Sequence, residues 1–200
     1  MSDHYFSTAP AGPERRRLIN ANLWGRQVSL ITAAGVFSPD ELDRGTAVLL
    51  RESPVPQGKR RLLDLGCGYG PIALALALHC PAALIDAVDV NERALILCRQ
   101  NAEALGVAGR INACLPGQID PEIRYDEIWS NPPIRIGKEA LHTLLRTWLA
   151  RLKPGGIARL VVSKNLGADS LQQWLTTSGY ECVRKASSKG FRVLEIRAGQ

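Results

Sequence analysis

Hydrophobic positions recur along this chain with two periods. From Arg61 onward, short apolar runs alternate with longer stretches of helical spacing. Arg61–Leu65, Leu84–Val88, Arg110–Cys114 and Asp126–Trp129 read as four strands, with helices over Pro71–His79 and Glu92–Leu105. Residues 71–79 alternate Ala and Leu, which mimics a strand, but both are strong helix formers and the run is long. Leu141, Leu144, Leu145, Trp148, Leu149 and Leu152 follow helical spacing, and Lys153-Pro154-Gly155-Gly156 reads as the stop. Ile157–Val162 is a fifth strand and Ser170–Thr177 a helix closed by Gly179. Tyr180–Val183 and Phe191–Ile196 finish as an antiparallel pair. Strands alternating with helices predict an α/β fold, a seven-stranded and mostly parallel sheet with helices on both faces.

Before Arg61 the pattern is looser. Residues 1–20 are polar and read as a loose arm. Gln27–Thr32 alternates like a strand or hairpin. Ser38-Pro39-Asp40-Glu41-Leu42 has the signature of a helix start, with the helix running to about Arg51 and burying Leu42, Val48, Leu49 and Leu50. Pro54, Pro56 and Gly58 form a linker. Residues 1–58 are therefore expected to be an arm and covering segment, and residues 59–200 the main domain.

Composition adds bounds. Apolar content of 46% and charged content of 22% are ordinary for a globular protein. No apolar run approaches the roughly 18 residues of a membrane span, and the N-terminus lacks a signal-peptide pattern, so the expected location is cytoplasmic. Five cysteines without a CxxC pair read as scattered reduced thiols, with no metal expected. The net charge is +6 and arginine greatly outnumbers lysine. Guanidinium groups suit phosphate, so RNA or DNA is a compatible partner, although genome base composition gives the same excess.

Two segments carry chemistry. Asp64-Leu65-Gly66-Cys67-Gly68-Tyr69-Gly70 lies between the first strand and its helix, with GxGxG spacing rather than the GxGxxG of dinucleotide-binding dehydrogenases. Small residues there let a cofactor approach the backbone. Asp64 is suited to an ammonium group, and Asp89, ending the second strand, to ribose hydroxyls. This pair of carboxylates fits S-adenosylmethionine. Without a Walker lysine, nucleoside triphosphates are disfavoured. Asn91 would either touch the ribose or adenine edge or cap the following helix.

The second segment, Asn131-Pro132-Pro133-Ile134, follows the fourth strand. Proline fixes the turn and contributes no competing N–H. The Asn131 side-chain oxygen and the Pro132 carbonyl would accept both hydrogens of a planar NH₂ group and help localise its lone pair. Methylation of an exocyclic nitrogen is the reading. Arg135 and Lys138 would hold a phosphate or base edge beside it, or stand as solvated charges. His142 reads as a packing residue.

SNPPIRIGK, with GVFS, DLGCGYGPIA and VDVNERA upstream, resembles the small-domain methyltransferase family of Rossmann-like class I enzymes. Its relatives include ribosomal RNA guanine-2-amino methyltransferases of the small subunit. The likeness runs from about His4 to Ile196 and is nearest to short bacterial members. It implies that Asp64, Gly66, Cys67, Gly68, Asp89 and Val90 bind S-adenosylmethionine. Phe37 and Thr46, the latter within Asp43-Arg44-Gly45-Thr46, would close the pocket. Asn131, Pro132, Pro133 and Ile134 would form the catalytic turn, with RNA, either rRNA or a ribosomal subunit, as partner. Two positions depart from family patterns. Asn112–Pro116 lacks the acid that contacts adenine, and Ile134 replaces an aromatic that would stack on the base; Tyr125 and Trp129 are alternatives for stacking but read better as core. Three rival readings remain: a protein glutamine or small-amine methyltransferase, an inactive RNA-binding relative, and a redox Rossmann enzyme.

Overall fold

Leu62 and Leu63 are adjacent in sequence yet face opposite cores, and this alternation organises the sheet. The computed structural model describes residues 15–198 except Phe37 and Pro39. Its main sheet comprises β3 (Arg61–Leu65), β4 (Leu84–Val88), β5 (Ile111–Cys114), β6 (Tyr125–Ser130), β7 (Leu152–Ser163), β8 (Tyr180–Ser188) and β9 (Phe191–Ala198). Their order is β5-β4-β3-β6-β7-β9-β8, with only β9 and its pairings antiparallel. The expected seven-stranded, mostly parallel sheet is present.

Leu62, Ile85, Ala87, Ala113 and Trp129 face one core, packed by α1 (Arg44–Glu52), α2 (Pro71–His79) and α3 (Glu92–Ala104). Leu63, Val88, Ile128, Leu160 and Leu194 face the other, covered by α4 (Lys138–Leu149) and α5 (Ala168–Thr177). The Ala/Leu run of α2 is helical and buried from Pro71 through Ala77, as suits a helix apolar on every side.

Three expectations change. Arg16–Leu23, within and beyond the supposed loose arm, is strand β1, paired antiparallel with β2 (Arg26–Ala33). Ile19, Ala21 and Leu23 point inward between polar neighbours, and Trp24 (φ 48°) and Gly25 (φ 88°) supply the two left-handed residues of a tight hairpin turn. The remainder of the arm, residues 1–14, lies outside the described residues. Helix α1 begins at Arg44, not near Ser38, because the Asp43 carboxylate accepts from the Thr46 N–H and caps it there. Finally, Lys153–Gly156 does not stop α4, which ends at Leu149; these residues belong to β7, beside an irregularity in its pairing with β6. A Cβ on Gly156 would lie 2.9 Å from the Lys153 carbonyl oxygen, so glycine lets the strand bend.

The end of the sheet remote from the strand C-termini is tied by Asp86, which is fully buried. Its carboxylate accepts from Arg61 Nε (2.8 Å), Asn112 Nδ2 (2.9 Å) and the Tyr125 hydroxyl (3.0 Å), linking β3, β4, β5 and β6. Replacing Asp86 with Ala strands a guanidinium and a phenol, and is expected to cost about 3 kcal/mol. Urea unfolding should show a lowered midpoint with an unchanged slope.

Candidate active site

The order of strands reverses at the β3–β6 pair: β4 and β5 extend to one side, β7 to the other. In a parallel α/β sheet such a reversal opens a crevice beyond the strand C-termini. The register Leu63↔Ile128 and Asp64↔Trp129 brings Gly66 beside Asn131. The Ser130 hydroxyl donates to the Leu65 carbonyl at 2.6 Å and locks the two ends together. One cleft is lined by Asp43, Thr46, Gly66, Cys67, Gly68, Tyr69 and Asn131, with Pro71 and Ile72 behind.

The glycine loop is held from below. Gly66 and Cys67 N–H both donate to the Val88 carbonyl, at 2.8 and 3.0 Å. Asp89 accepts from Gly68 N–H on one oxygen (2.8 Å) and from Asn91 N–H on the other (2.9 Å), so the end of β4 fixes the loop after β3. Gly66 and Gly68 have φ of 76° and 55°, and a Cβ on Gly68 would project into open space. Gly70 serves packing instead, since a Cβ there would lie 2.6 Å from Cys98 Sγ; its absence permits α2 to pack on α3.

Asp64 is buried beneath this loop. Its Oδ2 accepts from Ala73 N–H at 2.9 Å, while Oδ1 has no partner among the described residues. Burial, opposed by the Ala73 bond and reinforced by the Asp89 charge, pushes its carboxyl up to about 7. Burial likewise holds the Cys67 thiol well above its ordinary value, so it lines the loop as a neutral group. Val90 stands exposed beside Asp89. Asn91 takes the capping role, accepting from Arg93 and Ala94 N–H and donating to the Gly35 carbonyl.

Across the cleft, Asn131 Nδ2 donates to Asp43 Oδ1 (2.6 Å) and Thr46 Oγ1 (3.1 Å). The Pro132 carbonyl already accepts Ile134 N–H at 2.8 Å, leaving one lone pair for a ligand. Pro133 approaches the loop, its Cδ 3.9 Å from where a Gly66 Cβ would sit. Ile134 opens a short 3-10 turn, half-buried, and Arg135 and Lys138 are exposed on its outer side. His142 stacks on Trp174 at 3.7 Å, a packing role. Tyr125 and Trp129 are fully buried and cannot stack on a ligand in the cleft. Phe37 lies outside the described residues.

Three features were not read from the sequence. Asp43 joins α1 to Asn131, although its place three residues before Thr46 marks it as a cap. Tyr69, a spacer within the glycine motif, lines the cleft with a buried hydroxyl that has no hydrogen-bond partner among the described residues. Its phenol is raised above the ordinary range by burial and stays neutral. The Phe191 ring reaches within 3.0 Å of a would-be Gly45 Cβ, so the Lys189-Gly190-Phe191 turn abuts the start of α1. The basic run Lys59–Arg61 lies at the far end of the sheet, where Arg61 binds Asp86, away from the cleft.

The profile of the methyltransferase small domain matches residues 27–195. This chain belongs to the methyltransferase small-domain family. The small-domain chain is 32% identical to the uncharacterized protein YbxB of Bacillus subtilis over 98% of its own length and 99% of that protein's. It is 36% identical to ribosomal RNA small subunit methyltransferase C of Shewanella halifaxensis, over 70% of its length and 41% of that enzyme's. The chain thus spans about two-fifths of the ribosomal RNA enzyme it matches. The Thermus thermophilus 16S rRNA N2 G1207 methyltransferase, solved with AdoMet and guanosine, superposes with a TM-score of 0.76 at 24% identity, over 94% of this chain and 52% of that one. That likeness establishes a Rossmann-like methyltransferase fold.

Among the described residues no helix is long and apolar enough to cross a membrane, and no group of His, Cys, Asp and Glu could hold a metal ion.

The half-bonded Asp64 carboxylate has a consequence for stability. Its folded value of about 7 lies above the roughly 3.9 of an unfolded aspartate, so between them the folded state binds the extra proton. Stability from this group is therefore lost as pH rises through that window, and the loss is complete above about 7. Asp64→Asn keeps an acceptor for Ala73 without the charge. Relative to this variant, the wild-type chain should lose stability between about pH 4 and about pH 7, read from urea midpoints.

Proposed function

We propose that this small-domain methyltransferase moves a methyl group from S-adenosylmethionine to the exocyclic amine of guanine in small-subunit ribosomal RNA. The observation that carries this reading is the single cleft shared by the Gly66–Gly68 loop and Asn131. The donor set fits that cofactor: open space above Gly68, a buried and unpartnered Asp64 Oδ1 suited to an ammonium, and Asp89 at the end of β4 for the ribose. Cys67 and exposed Val90 give flanking surface, and Thr46 and the neutral Tyr69 hydroxyl close the tail end. In this reading the main unit is formed by residues 59–200, and the segment before it borders the cleft through Asp43 and Thr46 at the start of α1.

S-adenosylmethionine held there would supply an activated methyl group, with its sulfur taking up the electron pair of the broken C–S bond. The work of this chain is to present the nitrogen. Asn131 Oδ1 and the remaining Pro132 lone pair accept the two N–H bonds, so the lone pair points at the methyl carbon and forms the new N–C bond. The excess proton leaves to water, and no strong base is required. Pro133 and Ile134 wall the turn, while exposed Arg135 and Lys138 meet RNA phosphate. The substrate class rests on the relatives named for ribosomal RNA methylation. A ribosomal substrate implies action in the cytoplasm.

The test combines calorimetry with transfer of labelled methyl to naked 16S rRNA and to small ribosomal subunits. Asp89→Ala should abolish cofactor binding. Asn131→Ala should keep cofactor affinity within about twofold while lowering turnover by roughly a hundredfold or more. The labelled product should be N2-methylguanosine. Label recovered in protein glutamine instead would move the substrate, and cofactor binding by neither wild type nor variant would overturn the enzyme reading.

A further inference from the structure

We propose that Asp43 is a positioning residue that fixes which face of the Asn131 amide meets the target amine. The proposal rests on the reading of Asn131 as the amine grip. Asp43 Oδ1 already accepts from Thr46 N–H and acts here as an acceptor, so the Asn131 group lying 2.6 Å from it is the NH₂ end. Thr46 Oγ1, at 3.1 Å, takes the second hydrogen of the same group. With both N–H bonds committed to α1, the amide oxygen is turned the other way. It meets no donor among the described residues, and Asn131 lines the cleft. A freely rotating amide would present its donors half the time, and donors repel an incoming NH₂ group.

The surroundings make this orientation difficult to lose. Asp43 is itself held by its capping bond from Thr46 N–H, at 2.9 Å to the same Oδ1. Only a glycine leaves room at Gly45, where a Cβ would lie 2.9 Å from Asp43 Oδ1, 3.3 Å from Asn131 Nδ2 and 3.0 Å from the Phe191 ring. The first turn of α1, which precedes the glycine loop by some twenty residues, is thus part of the apparatus that aims the acceptor.

Asp43→Ser tests this, because serine still caps the helix but is too short to hold Asn131. Its kcat on small ribosomal subunits should fall by roughly tenfold or more, with S-adenosylmethionine affinity within about twofold of wild type. In an Asn131→Ala background the same substitution should change kcat by less than about twofold, since its effect runs through that amide. Asp43→Asn, which can still turn an oxygen toward Asn131, should restore most of the rate. Independently of turnover, the Asn131 side-chain ¹⁵N–H₂ resonances should be well dispersed in wild type and collapse toward solvent-exposed values in Asp43→Ser. Equal losses in the two backgrounds, or unmoved resonances, would overturn the proposal while leaving Asn131 as the grip. Normal turnover by Asn131→Ala would overturn both.

Discussion

The parallel pairing of β3 with β6 is the constraint on which the site depends. Residues 66–124, with two strands and two α-helices, are folded out to one side so that Leu65 and Ser130 end together, joined by a 2.6 Å hydrogen bond. Neither segment could act alone. In the proposed function the glycine loop holds the methyl donor and the Asn-Pro-Pro turn presents the amine. The reversal of strand order at this pair puts no helix between them, and the crevice is a consequence of topology before any side chain is considered.

Four aspartates then divide the electrostatic work according to how fully each is bonded. Asp86 is saturated by a guanidinium, an amide and a phenol, and serves the sheet. Asp89 receives one backbone N–H on each oxygen and so couples the end of β4 to the loop after β3. Asp43 concentrates its bonds on one oxygen, which is both helix cap and amide clamp. Of the four, Asp64 keeps a buried oxygen with no partner among the described residues, and burial raises its carboxyl to about 7. An unmet acceptor at full burial is costly to a folded chain. In the proposed function, the ammonium of the cofactor would complete the bonding of this oxygen.

The strands and helices after Arg61 were legible because their periodicity is local: each apolar run is short, each helix has its own spacing, and glycine marks the turns. The glycine loop and Asn-Pro-Pro turn were legible for the same reason, since backbone demands pick out unusual residues. What was not legible depends on distance across the fold. The polar residues of β1 gave no signal until its inward Ile19, Ala21 and Leu23 could be set against β2, because every second position faces solvent. Lys153–Gly156 reads as a stop by composition, yet a close approach to the Tyr125 and Asp126 carbonyls draws it into β7. Asp43 was visible as a member of a segment, but its bond to Asn131 spans 88 positions and nothing local announces it.

The segment before β3 is usually easiest to treat as a cover, something that shuts over a finished pocket. Its bonding argues for a more intimate part. Trp24 at the hairpin tip donates to the Leu50 carbonyl and packs edge-on against Trp129 of β6, so the hairpin, α1 and the strand that bears Asn131 share one core. A shift of α1 would therefore be felt at Asn131 from two directions, through Asp43 at its side chain and through Trp129 two residues earlier along its strand. An element so anchored is poorly suited to opening as a lid, since its first turn would carry the amide with it. The 3-10 turn after Asn-Pro-Pro, by contrast, leaves Arg135 and Lys138 in solvent.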